Sequence, residues 1–318
     1  MTNKSKIRII GKNLVSIITV IKKHWPEHIP FLNKSLNQLS EDALNNADSS
    51  AEIILKVYSQ RIDEIVINYK KTCKVMLEEE LFFRRNKEYR FKTLQEVDNY
   101  FKDKDNFHKV YYDGLLLSQI IWANHAESNF YLQKVCNNLS PNSLLEIGCG
   151  HGLLINQLAK SLSKTNCSAW DINQEAVLNT SKISQIMGLE NKVNVSINDF
   201  CNYENEKCCS KKFEVIVLFE ILEHIENPLK ALLQIRNILE KNGKLIVSIP
   251  INSPAPDHIV LFEDDKQIDK LALDSQLFVE KKVLIPQTGY DINKAIQKKA
   301  TITYFGLWSL RNYEQGKS

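Results

Sequence analysis

Glycines at alternate positions, Gly148, Gly150 and Gly152, follow the short apolar run Leu144-Leu145-Glu146-Ile147, and acids, amides and imidazoles recur downstream. A glycine run of this kind lets a backbone approach a ligand closely and take up positive φ. A helix starting there would aim its free N–H groups at the same ligand. Asp171 stands about twenty residues beyond the loop, where a carboxylate can accept ribose hydroxyls. Glu220, Glu223 and His224 have E-x-x-E-H spacing, which a helical turn would gather on one face, and His258 follows on a later loop. Two carboxylates with two imidazoles suit a divalent ion such as Mg, Mn, Fe or Zn. Without a metal, His224 or His258, with Glu223 beside them, is the natural general base for a hydroxyl acceptor.

The elements that must position these residues follow from periodicity. Leu153, Leu154, Ile155 and Leu158 have helical spacing, so the glycines sit in a strand-to-helix turn. Leu153 stands where a dinucleotide fingerprint needs its third glycine, and no Lys-Ser or Lys-Thr follows as a Walker loop would require. Ser168 to Ile172, Val193 to Phe200, Phe213 to Glu220 and Lys244 to Pro250 read as further strands. A helix from Pro228 to Leu239, ended by Asn242-Gly243, precedes the last of them. Leu277 to Ile285 and Ala300 to Leu307 would add two more strands. Strands alternating with helices argue a doubly wound parallel sheet, whose ligand crevice lies at the strands' carboxyl ends.

Glu-h-Gly-x-Gly-x-Gly resembles motif I of the class I methyltransferases that use S-adenosylmethionine (SAM). The resemblance runs from Ser143 to Asn252, about a third of the chain. It is strongest over Phe213-Glu-Val-Ile-Val-Leu-Phe-Glu-Ile-Leu-Glu-His-Ile-Glu-Asn-Pro228, which is similar to the fourth-strand motif of the ubiquinone-pathway and related small-molecule O-methyltransferases. It implies an α/β, doubly wound, mostly parallel seven-stranded Rossmann-like sheet with an N-terminal helical region. It also implies a SAM site formed by Glu146, Gly148, Cys149, Gly150, Gly152, Asp171, Ile172, Asn198, Asp199, Phe200 and Glu220. There Asp171 would hold the ribose, and Asn198 and Asp199 the adenine amino group. Ile172 and Phe200 would lie against the base, and Glu146 would orient loop amides or the methionine ammonium. The Glu/His cluster resembles the metal site of the small-RNA 2′-O-methyltransferases. The helix before motif I commonly helps close the acceptor pocket in this class, so Tyr111, Tyr112, Trp122 and His125 are candidate substrate contacts.

The 318 residues are 43% hydrophobic and 25% charged, ordinary for a globular protein. The net charge of +3, from 41 basic and 38 acidic residues, gives no basic stripe for a nucleic acid. Seven cysteines without paired spacing fit reduced thiols in a cytoplasm, and Cys201, Cys208 and Cys209 contain no C-x-x-C for zinc. Leu14 to Ile21 is too short to span a bilayer and reads as one face of an amphipathic helix, so no membrane partner is expected. From Lys6 to Met76 the spacing predicts several helices, with a break between Pro26 and Pro30 and starts at Ser40-Glu41-Asp42 and Asp48-Ser49-Ser50. A short β segment should follow the charged and aromatic stretch Glu78 to Phe91.

The expected organisation is a helical region over 1–105 for packing, dimerisation or lid formation, a lid or linker helix over 106–140, and a SAM-binding domain over 141–318. The N-terminal helices offer a surface for a homodimer. The expected function is methyl transfer to a small molecule, on oxygen. The alternatives are C- or N-methylation of a metabolite or carrier-bound acyl group, and a SAM-binding scaffold without turnover.

Overall fold

The computed structural model describes residues 10–102, 107–202 and 211–311. Its centre is one sheet: β1 Ser143–Ile147, β2 Asn166–Asp171, β3 Val193–Ile197, β4 Phe213–Phe219, β5 Leu239–Ile251, β6 Leu277–Pro286 and β7 Ile302–Leu310, in the order β3-β2-β1-β4-β5-β7-β6. β1 to β5 pair in parallel, and β7 runs antiparallel between β5 and β6. The central strands are apolar on both faces because helices cover both faces, so Val215 to Phe219 is a continuous buried run. The chain leaves β1 towards β3 and returns to β4, so the strand order reverses between β1 and β4. A ligand crevice opens at that point.

Ahead of the sheet lie α1 Lys12–His24, α2 Ile29–Gln38, α3 Glu41–Tyr58, α4 Ile62–Asn86, α5 Leu94–Lys102, α6 Phe107–Ile121 and α7 Ala123–Leu139. α8 Leu153–Ser161, α9 Gln174–Met187, α10 Pro228–Ile238, α11 Asp265–Asp274 and α12 Ile292–Lys298 connect the strands. Leu14, Ile17 and Ile21 of α1 are buried with Ile54, Ile65, Tyr69, Leu117 and Ile121, and this core extends to Leu153 of α8 and Ile183 of α9. The helical layer is thereby fastened to the sheet domain by apolar burial, at roughly 1.5–3 kcal/mol per fully buried aliphatic side chain. Gly114 lets α6 cross α4 closely: a Cβ there would lie 2.1 Å from Thr72 Oγ1. Among the described residues no helix is long and apolar enough to cross a membrane.

Several expectations are corrected. Asp48-Ser49-Ser50 lies inside α3 rather than at a helix start. The Ser49 and Ser50 hydroxyls donate to carbonyls one turn back, and Asp48 caps a different helix, accepting from the Leu14 amide at 2.8 Å. Ser40 does cap α3, accepting from the Ala43 amide. No strand follows α4: its end is closed by Lys87 in the left-handed region, and residues 87–93 are bends and irregular chain. Asn242-Gly243 does not end a helix. α10 stops at Ile238, and the register of β4 and β5 jumps from Phe213↔Leu239 to Val215↔Lys244, so these residues bulge within β5.

The 106–140 segment is two helices broken at Trp122. Leu117 and Ile120 of α6 join the N-terminal core, whereas Leu132 and Cys136 of α7 pack on the sheet. Cys208, Cys209 and Lys6 lie outside the described residues.

Candidate active site

The glycine loop begins as a continuation of β1. The Gly148 amide donates to the Trp170 carbonyl at 2.7 Å, and all three loop glycines have positive φ. At Gly148 (φ 77°) a Cβ would also collide with Ile221 Cδ1 at 2.0 Å, so only glycine fits. Asp171, at the end of β2, accepts from the Gly150 amide through Oδ2 and from the Asn173 amide through Oδ1, both at 2.9 Å. Burial raises its pKa, and three backbone N–H groups, of Asn173, Gly150 and Ile172, work against that rise. Glu146 is fully buried behind the loop, and burial holds its carboxyl well above the usual range. The Ile155 amide donates to it, and Oε2 has no partner. Phe200 is buried and Ile172 is 66% exposed, both on the cavity wall with Asn198 and Asp199.

At the other end, β4 turns through Glu220 (φ 55°) into a short 3₁₀ turn, Leu222–His224. The Glu223 carbonyl accepts from the Ile259 and Val260 amides at 3.0 and 2.9 Å, which ties this turn to the loop after β5. His224 Nδ1 lies 2.9 Å from the Asp257 carbonyl, and His258 Nδ1 lies 2.7 Å from the Ser253 carbonyl. A carbonyl only accepts, so each Nδ1 carries a proton, and in the neutral ring Nε2 then holds the lone pair. Both Nε2 atoms face Glu223 Oε1, at 3.6 and 3.9 Å. Among the described residues no other residue hydrogen-bonds either Glu223 oxygen, and the side chain is fully buried. Burial, Glu220 and Asp257 together push the Glu223 carboxyl well above its ordinary range. Burial and His224 push His258 down to about 3.

One ligand atom each from Glu223, His224 and His258 lies within 4.8 Å of the others. Two imidazoles held by backbone carbonyls, converging with a carboxylate, form a donor set that fits a divalent cation. The expected fourth member stands apart. Glu220 Oε1 accepts the Ser248 hydroxyl at 2.5 Å, because the left-handed residue at the strand end prevents one helical face from carrying all three side chains.

A single cavity of about 850 Å³ joins the two ends and touches Gly148, Gly150, Asp171, Glu220, His224 and His258. A methyltransferase-domain family model matches residues 124–298. The chain belongs to the methyltransferase domain family. A ubiquinone biosynthesis O-methyltransferase of Actinobacillus pleuropneumoniae serotype 7 is 31% identical over 120 residues, 37% of this chain and 50% of that protein. One from Rickettsia conorii is 28% identical over 116 residues, 36% of this chain and 37% of that protein. The chain thus spans about half the length, or less, of these relatives. An O-methyltransferase family protein from Burkholderia thailandensis shares the fold with a TM-score of 0.51 at 12% identity, covering 79% of this chain and 73% of that one.

The methyltransferase domain gathers nearly all the expected site residues onto one cavity. The Gly152 N–H donates to the Cys149 carbonyl, and the Cys149 side chain faces the core, where its sulfur accepts from Thr180. Cys149 therefore contributes backbone to the loop rather than a thiol. Tyr111 donates to Asp257 Oδ1 at 2.8 Å, the Tyr112 hydroxyl accepts from Asn173, and Trp122 donates to Tyr69. All three line the cavity with His125. Sequence reasoning missed Asp257, Ser248 and Tyr89. The Tyr89 hydroxyl accepts from the Ser253 amide, and its ring meets the His258 ring edge-on at 5.9 Å. Adjacency to His258 could have flagged Asp257; nothing in the sequence ties Tyr89 to the site.

Proposed function

We propose that this methyltransferase domain passes a methyl group from SAM to a hydroxyl oxygen of an uncharged small molecule, with a divalent cation at Glu223, His224 and His258. The observation that carries this reading is the continuity of one cavity from the glycine loop to that cluster. The relatives named as O-methyltransferases support oxygen as the target.

Glu146 Oε2, buried and unpartnered beside the loop, suits an ammonium group, and the part of Asp171 left free by the Gly150 and Asn173 amides suits ribose hydroxyls. A cation in the cluster would lower the acceptor's pKa and fix its oxygen. Positioning and water exclusion by the apolar walls do the rest. Among the described lining residues Lys230 is the single lysine or arginine, while Glu80, Glu226 and Asp257 are acids. Anionic acceptors, RNA included, would meet repulsion there.

The test is incubation of purified protein with methyl-labelled SAM and a fractionated lysate of the source organism, with and without chelator. Label in neutral metabolites, lost on chelation and restored by Mn²⁺, is the expected result. Label in RNA or protein, or on carbon or nitrogen of a metabolite, overturns the acceptor assignment, and indifference to chelator removes the metal. SAM bound without label anywhere would favour a scaffold.

A further inference from the structure

His224 and His258 both turn their lone pairs on Glu223, so the cluster leaves no imidazole to receive a proton from the acceptor. A third imidazole on the same cavity does. His125, near the start of α7, lines the wall within electrostatic reach of both His151 in the glycine loop and His258.

Ser118, across the α6–α7 break and almost fully buried, fixes this ring's chemistry. Its hydroxyl donates to the Leu115 carbonyl at 2.8 Å and faces His125 Nδ1 at 3.0 Å. A hydroxyl has one proton, and when it goes to the carbonyl the serine oxygen accepts from Nδ1–H, the arrangement that satisfies carbonyl, hydroxyl and ring nitrogen together. In that arrangement the lone pair falls on Nε2 of a ring that lines the cavity. Trp122, with its ring 5.1 Å from the imidazole, packs against this orientation. No sequence signal distinguishes His125 from a packed histidine; the Ser118 contact does.

We propose that His125 Nε2 accepts the acceptor's hydroxyl proton during methyl transfer, and that Ser118 is the positioning residue that holds the required tautomer. This rests on the hydroxyl-acceptor reading above. The acceptor oxygen gives a lone pair to the methyl carbon, and the sulfonium sulfur keeps the electrons of the broken carbon–sulfur bond. The O–H proton passes to Nε2, which returns it to solvent after release. Burial pushes His125 down to about 4, so at neutral pH the ring is uncharged and does not repel the sulfonium. The protonated ether formed as the methyl arrives is a far stronger acid than any imidazolium, so even this weak base receives the proton downhill.

The test uses the full chain labelled with 15N-histidine and saturated with S-adenosylhomocysteine, with 4-methylcatechol as an uncharged hydroxyl probe. The signal absent from His125→Gln should show a protonated Nδ1 and an unprotonated Nε2 that shifts as the probe is added, and Ser118→Ala should release a tautomer mixture. A protonated Nε2 in the unaltered protein, or one indifferent to bound probe, overturns the proposal. With SAM in place of the product, His125→Gln should lower kcat on the probe by about 10²–10⁴-fold, because a carboxamide oxygen accepts a hydrogen bond but takes no proton. KM and SAM affinity should stay within about two-fold. Unchanged kcat, or an equal loss of SAM affinity, overturns it. If the unaltered protein binds SAM but leaves the probe unmethylated, the hydroxyl reading fails, and the NMR result alone decides for or against His125.

Discussion

Two acids, half-buried Asp171 on the cavity wall and fully buried Glu223 behind its far end, have opposite surroundings. Asp171 receives backbone N–H groups from Gly150 and Asn173, while Glu223 has only its own amide to favour its charge and faces the Nε2 atoms of two imidazoles. An acid satisfied by its own chain is a structural clamp that shapes the glycine loop. An acid buried at zero exposure without a counter-charge costs stability, a cost that the cation proposed above would offset.

That contrast can be broken most directly at Glu223. Glu223→Gln should lower Mn²⁺ affinity by more than about 100-fold in calorimetry, beyond the usual effect of an outer-shell change, with SAM affinity kept. In chelator the same variant should be the more stable protein, increasingly so as pH rises above the ordinary carboxyl range. A folded-state pKa raised by burial gives stability that is complete below the unfolded value and is lost as pH rises through the folded one. A variant that melted lower at pH 8 would show that Glu223 is paired after all.

Asp171→Ala should act at the other end. Removing charge-assisted bonds of about 1.5–3 kcal/mol should weaken SAM roughly 10–100-fold and leave Mn²⁺ binding alone. If Mn²⁺ binding fell as well, the two ends would be one cooperative unit.

A broader check is acid sensitivity. His28 and His258 are buried neutral, pushed down from 6.5 to about 4 and about 3. The unfolded chain binds protons below 6.5 that the folded one refuses, so stability is complete above 6.5 and falls towards pH 4, by about 1–3 kcal/mol per histidine. The urea midpoint of chelated protein should drop between pH 7 and pH 4.5, and less steeply in His28→Gln. Smallest of all, Trp122→Phe should lose only the bond to Tyr69, about 1 kcal/mol of stability, with SAM affinity unchanged.

The legible half of the site was the half made by short-range chain geometry. Glycine spacing, a strand-end acid and a helix start all lie within a few residues of each other or one βαβ unit away, so Gly148 to Gly152 and Asp171 could be placed without coordinates. The E-x-x-E-H spacing anticipated that Glu223 and His224 lie together, and the structure groups them with His258. It misled on Glu220, because the spacing rule assumes an α-helical turn and the chain makes a 3₁₀ turn after a left-handed residue. Asp48-Ser49-Ser50 misled for a related reason: cap-forming residues look alike whether they cap their own helix or a distant one.

The sequence by itself determined a parallel sheet, a glycine loop at its switch point and a layer of amphipathic helices, because each follows from hydrophobic period and local backbone preference. Only the tertiary structure decided which lone pairs face the cavity. Glu223 is left bare by the meeting of two loops, the His224 and His258 tautomers by carbonyls 33 and 5 residues away, and that of His125 by a serine on the preceding helix. Such hydrogen bonds depend on the approach of separately formed elements, and no spacing along the chain encodes them.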